Sequence, residues 1–178
     1  MRLTSNINSL EGFIMETVYQ ASNYFYPSFA SQIDYDEIDA TVERIESAGS
    51  VVRIFKYAPK ILLIEDTPLI QRINLVYLKL LGCKVELAQN GQEAIAMFKN
   101  GYDLVLSDIG LPDIDGREVI KAIRLQEQEK HTPIIALTAF DDFIIKECFE
   151  AGVDDFYVKP LKTEELSAVL KRWLPQFI

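Results

Sequence analysis

From residue 60 onwards, the sequence alternates between short apolar runs and longer segments of helical periodicity. The short runs cover residues 61–64, 84–88, 104–106, 133–137 and 155–158, and the run 84–88 alternates between polar and apolar residues. Runs of this length, separated by helical segments, are typical of strands in a parallel sheet whose connections contain helices. Because such crossovers are right-handed, five of these units predict a doubly wound α/β domain over residues 59–178.

Helix boundaries are indicated by capping and turn residues. Thr67 and Pro68 form a typical helix start, and Gly82 is placed to end that helix. The pair Asn90-Gly91 predicts a turn before the next helix. We therefore expect helices over residues 68–81, 92–99, 116–128, 141–150 and 163–173, with Pro175 closing the last one.

Residues 1–58 show a different pattern, which predicts an N-terminal helical extension or linker. One amphipathic helix is expected from Ser9 to Pro27 and a second over residues 36–48, whereas residues 51–55 fit either a strand or an extended linker. Nine of the nineteen aromatic residues lie in this extension. Two short helices cannot bury so much apolar surface alone, so we expect them to pack either on the adjacent domain or across a homodimer interface. The candidate contact residues are Leu10, Phe13, Ile14, Val18, Ile38 and Val42.

Composition excludes some classes of partner. The net charge of −9 argues against a nucleic-acid-binding surface, which would need clustered Lys and Arg. Apolar runs are too short for a membrane span, so no membrane partner is expected. Cys83 and Cys148 lie far apart without a CxxC spacing, which indicates reduced residues, in the core or at the surface, of a cytoplasmic protein.

Asp108 occupies the most informative position in the chain. It follows the apolar run 104–106, and the turn-forming residues of the next loop lead to Gly116, where a helical pattern begins. Ligands of open α/β sheets bind outside the carboxyl ends of the strands. An aspartate that only caps the following helix is the alternative, but Asp113 or Asp115 is better placed for capping.

Four of the predicted strands end in residues that suit phosphoryl transfer. Glu65, Asp66 and Asp108 would bring three carboxylates together, which Mg²⁺ could neutralise with oxygen ligands. Lys159 can pair with Asp108 or with a phosphoryl oxygen, and the Thr138 hydroxyl can donate to a phosphoryl oxygen. The set predicts a Mg²⁺-dependent phosphoryl-transfer site with Asp108 as the nucleophile.

Residues 60–174 resemble the receiver domain of two-component response regulators, in particular the receivers of hybrid sensor histidine kinases. The motifs that carry the resemblance are ILLIED, LSDIGLPDIDG, PIIALTA and GVDDFYVKP, at residues 61–66, 106–116, 133–139 and 152–160. The resemblance implies a flavodoxin-like (βα)5 receiver fold with strand order 2-1-3-4-5.

The resemblance also implies a role in a phosphorelay. Asp108 would accept phosphate from a phosphohistidine of a sensor histidine kinase or a histidine phosphotransfer protein. Glu65, Asp66 and Asp108 would hold Mg²⁺, with the carbonyl of Gly110 completing the protein ligands. Such a domain catalyses only its own phosphorylation and dephosphorylation, so no activity on other substrates is expected.

Further residues acquire roles through the same resemblance. Thr138, Ala139 and Lys159 would bind the phosphoryl group, and Phe156 would rotate together with Thr138. A cis peptide bond is implied before Pro160.

Phosphoryl lifetime and output are left open by the sequence. Gly110 and Phe140 stand where the family tunes that lifetime. We expect the output to be a protein contact, because no further module follows the fifth helix.

Other functions fit the sequence less well. An interaction-only pseudo-receiver would lack the acidic pair, the aspartate or the lysine, and all are present. A phosphohydrolase with an Asp nucleophile would need a second Asp where Gly110 stands. A complete histidine kinase is excluded, since the single histidine, His131, falls in a predicted loop and no glycine-rich nucleotide motif is present.

Overall fold

The computed structural model describes residues 55–138, 142–159 and 161–177, together with Asp36, Asp39, Val42 and Glu43; for residues 142–144 and 163 it describes the backbone alone. From residue 60, strands and helices alternate along the chain. The strands are β1 (Lys60–Ile64), β2 (Lys84–Ala88), β3 (Leu104–Asp108), β4 (Ile134–Thr138) and β5 (Asp155–Val158). The helices are α1 (Pro68–Leu80), α2 (Gly91–Phe98), α3 (Gly116–Gln126), α4 (Asp142–Ala151) and α5 (Thr163–Trp173), followed by a 3-10 helix (Pro175–Phe177).

The five strands form one parallel sheet in the order β2-β1-β3-β4-β5. This confirms the predicted doubly wound, flavodoxin-like fold. The register aligns the carboxyl ends of the strands, since Asp108 pairs with Leu137 and Thr138 pairs with Val158. The residues that end these strands therefore share one edge of the sheet.

Two apolar layers cover the two faces of the sheet. Successive strand residues point to opposite faces, so each strand contributes to both layers. The strand residues Ile61, Leu63, Leu104 and Leu106 pack in one layer with α1 and α5. The other layer joins the sheet to α2 and α3, through Leu62, Ile64, Val105, Ala136, Ala94, Phe98, Val119, Ile120 and Ile123. The carboxyl ends of β3 and β4 carry the polar residues Ser107, Asp108 and Thr138, which are buried.

The structure corrects some of the predicted boundaries. The Asn90-Gly91 pair is not a separate turn, because Gly91 is already helical and the Asn90 side chain caps α2 by accepting from the Glu93 amide at 2.9 Å. Helix α3 ends two residues early, because the backbone of Glu127 is extended. Pro175 begins a 3-10 helix after α5.

Part of the N-terminal extension contacts the α/β domain. Asp36, Asp39, Val42 and Glu43 are helical, in agreement with the predicted second helix. Val42 packs against the core layer that contains α1 and α5, and Asp39 forms an ion pair with Lys79 of α1. Of the six candidate contact residues, Val42 is therefore packed on its own domain. The other five, the predicted first helix and residues 51–54 lie outside the described residues, and the homodimer stays a prediction.

Residues just before β1 also contact the end of the chain. The Phe55 ring packs edge-to-face on Phe177 with 6.5 Å between centroids. The Lys56 amide donates to the Phe177 carbonyl at 2.7 Å. These contacts join the segment that precedes β1 to the segment that follows α5.

Both cysteines are buried and free, which places them in the core rather than at the surface. Burial raises the pKa of Cys83 to about 12 and also raises the pKa of Cys148. Within the described ranges, no helix combines the length and apolar character needed to cross a membrane.

Arg124 connects three segments at the edge of the sheet opposite Asp108. Its guanidinium donates to the Glu127 carboxylate at 2.6 Å and to the Asp154 carboxylate at 2.6 Å. It also donates to the carbonyls of Gly152, at 2.8 Å, and Thr132, at 2.7 Å. Both carboxylates are largely buried, and their basic partners are Arg124 and the His131 ring.

We predict that Arg124→Ala lowers the free energy of unfolding by about 3 kcal/mol, because it removes the guanidinium that pairs with two largely buried carboxylates. Lys121→Ala is the matched control on the same helix, since Lys121 forms an exposed ion pair with Glu118. That pair should contribute less than about 1 kcal/mol. Urea unfolding measures both values, and similar losses in the two variants would contradict the assignment.

Candidate functional site

The predicted carboxylates converge at the carboxyl edge of the sheet. Glu65 and Asp66 follow β1 directly, and Asp108 is the last residue of β3. One carboxylate oxygen of each lies within 4.8 Å of the others. Thr138 ends β4 beside them with its side chain buried. Three hard oxygen donors at this spacing are a suitable ligand set for a divalent cation.

Lys159 pairs with two of the three carboxylates. Its Nζ lies 2.6 Å from Glu65 Oε2 and 2.8 Å from Asp108 Oδ2. Glu65 has no solvent-exposed surface, and Asp108 is 9% exposed. An ammonium in this position compensates charge that would otherwise be costly to bury.

The pKa values of this pair follow from burial and mutual attraction. Burial raises the pKa of Glu65, and although the hydrogen bond and charge of Lys159 oppose this change, the net direction is upward. Burial lowers the pKa of Lys159, but its hydrogen bonds to Asp108 and Glu65 and their charges outweigh burial, so its pKa is raised. Lys159 therefore stays protonated at neutral pH.

Backbone and side-chain bonds fix the turn after β1. The Thr67 amide donates to Glu65 Oε1 at 3.1 Å. Thr67 stands at the N-cap position of α1, but its hydroxyl donates to Asp66 Oδ1 at 3.2 Å instead of capping the helix. Gln71 of α1 is 2% exposed, and its amide group donates to the Glu65 carbonyl at 2.6 Å.

Gln71 is a site-supporting residue that the sequence analysis missed. The available signal was a long polar side chain at helical spacing from the apolar residues Leu75 and Leu78 of the same helix.

The loop after β3 closes on itself. The Gly110 amide donates to Asp108 Oδ1 at 3.0 Å, which orients the carboxylate. The Gly116 amide donates to the Ile109 carbonyl at 3.2 Å. A Cβ atom on Gly116 would lie 2.7 Å from the Ile109 backbone, so the close approach requires glycine. At Gly110, by contrast, a Cβ atom would meet nothing closer than Asp108 Oδ1 at 3.8 Å.

The two other aspartates of the loop bind different helices. Asp115 is the N-cap of α3 and accepts from the Arg117 amide at 2.9 Å. Asp113 accepts instead from the Gly91 and Gln92 amides of α2, at 2.8 and 2.9 Å. The expectation that either aspartate would cap the next helix therefore holds for Asp115, whereas the cap of α2 by Asp113 was not predicted.

The remaining candidate residues lie around this centre or outside the described residues. Phe156 of β5 packs edge-to-face on Phe149 of α4, with 5.8 Å between ring centroids. Ala139, Phe140 and Pro160 fall outside the described residues, so their roles and the cis peptide bond stay predictions. His131 lies in the predicted loop at the opposite edge of the sheet, with Nε2 2.7 Å from Asp154 Oδ1.

A comparison with known families agrees with this arrangement. The model of the response regulator receiver domain matches residues 61–171. The chain belongs to this family. Its fold and its place in two-component phosphorelay signalling follow from this membership.

Curated relatives of the receiver include regulators and sensor kinases. The transcriptional regulatory protein TrcR of Mycobacterium tuberculosis is 40% identical over 114 residues, covering 63% of this chain and 44% of TrcR. The aerobic respiration control sensor protein ArcB of Escherichia coli is 34% identical over 151 residues, covering 83% of this chain and 18% of ArcB. This chain therefore spans less than half of the length of either relative.

Solved receiver structures have the same fold. The receiver domain of sensor histidine kinase PA1611 from Pseudomonas aeruginosa is 38% identical with a TM-score of 0.62, covering 66% of this chain and 98% of that chain, and has a magnesium ion in its active site cleft. The receiver of Saccharomyces cerevisiae Ssk1, solved in complex with the histidine phosphotransfer protein Ypd1, is 28% identical with a TM-score of 0.63, covering 70% of this chain and 94% of that chain.

We predict that Lys159→Met destabilises the protein by about 3 kcal/mol in neutral, metal-free buffer, because it leaves Glu65 buried without a counter-charge. In the double variant with Glu65→Gln, most of this loss should disappear. A raised pKa means that folded Glu65 binds a proton more readily than the unfolded chain does, so lower pH favours the folded state. Lys159 opposes that rise, so its loss should be less costly in mildly acidic buffer.

Urea unfolding of the four variants of this cycle at both pH values is the measurement. An equal cost of Lys159→Met with Glu65 and with Gln at position 65 would show that the pair is not the cause.

Proposed function

We propose that this chain is a Mg²⁺-dependent phosphoacceptor of a phosphorelay, with Asp108 as the residue that receives the phosphoryl group. The observation that carries the proposal is the convergence of three carboxylates and the Lys159 ammonium at one edge of the sheet. Family membership supports the phosphorelay, and the magnesium ion in the similar Pseudomonas aeruginosa receiver supports the metal.

The residues around Asp108 fit a magnesium ion. Glu65, Asp66 and Asp108 would hold it, together with the Gly110 carbonyl, and all four are hard oxygen donors. A bound Mg²⁺ supplies positive charge to the phosphoryl oxygens during transfer. Lys159 already compensates part of the carboxylate charge.

Asp108 is the nucleophile of the phosphoryl-transfer step. A carboxylate oxygen of Asp108 attacks the phosphorus of a phosphohistidine, forming an O–P bond while the N–P bond breaks and the imidazole leaves with its electron pair. Lys159 and the Thr138 hydroxyl stabilise negative charge on the transferred group. The Gly110 amide holds Asp108 in a fixed orientation before transfer.

The donor we propose is a sensor histidine kinase or a histidine phosphotransfer protein. The complex between the Ssk1 receiver and Ypd1 supports the second class. An interaction-only pseudo-receiver is disfavoured, because Glu65, Asp66, Asp108 and Lys159 are all present and grouped together. A cytoplasmic location stays a prediction.

We expect Mg²⁺ to stabilise the protein, because the ion binds the folded carboxylate cluster and not the unfolded chain. At ten times its Kd, the gain is about 1.4 kcal/mol. Asp66→Ala should abolish the gain, whereas Glu150→Ala, which removes an exposed carboxylate on α4, should leave it intact. Urea unfolding with and without Mg²⁺ tests this, and an unchanged stability of the wild-type protein would refute metal binding.

We expect Asp108 to form an acyl phosphate that is stable in acid and labile in base when the protein is incubated with a small phosphodonor and Mg²⁺. Asp108→Asn keeps the shape of the side chain but removes the nucleophile. Asp103→Asn, at the opposite end of β3, is the matched control and should be phosphorylated like the wild type. Mass spectrometry that finds equal phosphate on the Asp108→Asn variant would refute the assignment.

A further inference from the structure

Asp113 makes a contact that its position in the sequence does not suggest. It lies in the loop between β3 and α3, yet both of its carboxylate oxygens bind the start of α2. Oδ1 accepts from the Gly91 amide at 2.8 Å, and Oδ2 accepts from the Gln92 amide at 2.9 Å. These donors lie 22 and 21 residues earlier in the chain. Asp113 therefore ties the loop to a separate helix.

Helix α2 needs these two bonds in addition to its own cap. Amides in the first turn of a helix have no intrahelical acceptor. Asn90 Oδ1 accepts from the Glu93 amide, and Glu93 Oε2 accepts in return from the Gln89 amide at 2.7 Å. These local bonds do not involve the Gly91 and Gln92 amides, which Asp113 satisfies. The start of α2 and the loop therefore stabilise each other.

Close packing accompanies the hydrogen bonds. A Cβ atom on Gly91 would lie 2.6 Å from Val119 Cγ2, 3.2 Å from Ile114 Cβ and 3.3 Å from Asp113 Oδ1. The helix start therefore packs directly on the loop and on α3. A side chain at Gly91 would displace the Val119 methyl group and press on Ile114 and Asp113 of the loop.

The same loop carries the groups that act at the site. It begins at Asp108, whose carboxylate is held by the Gly110 amide, and it closes through the bond from the Gly116 amide to Ile109. Both bonds connect residues within the segment 108–116. The contact of Asp113 with α2 adds an anchor to a separate helix, three residues beyond Gly110.

We propose that Asp113 is a positioning residue that, by binding the first two amides of α2, holds the loop of residues 109–115 in the conformation that orients Asp108 and Gly110. The effect on phosphoryl transfer rests on the function proposed above, whereas the ordering of the loop does not. The Gly91 and Gln92 amides also lower the pKa of Asp113, so the side chain is ionised and a strong acceptor at neutral pH.

Amide hydrogen exchange of the full chain without metal tests the ordering. Asp113→Ala should accelerate exchange of the Gly110 and Gly116 amides by about tenfold, because these bonds open when the loop moves. Asn90→Ala is the matched control, since it removes a side-chain cap from the same helix without touching the loop. It should change the exchange of both amides by less than about twofold.

Two further variants decide the question if the Asp113→Ala protein does not fold. Asp113→Asn keeps one oxygen acceptor and should give an intermediate acceleration. Gly91→Ala disrupts the same contact by adding a methyl group on the helix, and it should reproduce the effect of Asp113→Ala. If neither Asp113 variant nor Gly91→Ala accelerates exchange at Gly110 and Gly116 more than Asn90→Ala does, the inference is overturned.

Mg²⁺ titration and the rate of acyl phosphate formation test the functional consequence. In Asp113→Ala, the Kd for Mg²⁺ and the time for phosphorylation by acetyl phosphate should each rise by about three- to tenfold relative to Asn90→Ala. Faster exchange with unchanged Mg²⁺ binding and unchanged phosphorylation would overturn the positioning role. If the wild-type protein neither binds Mg²⁺ nor accepts phosphate, the proposed function fails, while the exchange comparison still decides whether Asp113 orders the loop.

Discussion

The buried carboxylate of Glu65 is the constraint on which this structure depends. Its side chain has no exposed surface, and an isolated charge in such a place would be strongly unfavourable. Lys159, 94 residues later in the chain, supplies the counter-charge from the end of β5. Because β3 and β4 lie between β1 and β5, this pair connects strands that are not neighbours in the sheet. The charge balance of the site therefore depends on a contact across the assembled sheet.

The sequence predicts this fold well because the central strands β1, β3 and β4 are buried on both faces. Their apolar runs are continuous, so a polar residue stands out where a run ends. Glu65, Asp108 and Thr138 could be placed at one edge for this reason, whereas Lys159 follows the partly exposed edge strand β5. Strand order is different, since the patterns of the five strands contain no information about which strands are neighbours. The confirmed order came from the family resemblance.

Contacts between segments that are far apart in the sequence could not be predicted from local sequence patterns. Asp113 follows the spacing of a cap for α3, but it binds α2, because Asp115 already occupies that position and the packing brings Gly91 close. Asn90-Gly91 has the composition of a tight turn, yet the same residues also suit a helix start, and the contact with the loop decides between them. Gln71 is similar, because its partner is a carbonyl that only the folded turn presents.

Charge balance explains why this edge of the sheet suits a divalent cation. With every group ionised, Glu65, Asp66 and Asp108 carry three negative charges and Lys159 carries one positive charge, which leaves two negative charges. One divalent cation would neutralise them, whereas a monovalent cation would not. Without the ion, Lys159 keeps the most buried carboxylate paired, so the remaining excess charge lies toward the half-buried Asp66, where water stabilises it. Lys159 therefore offsets part of the carboxylate charge independently of any bound cation.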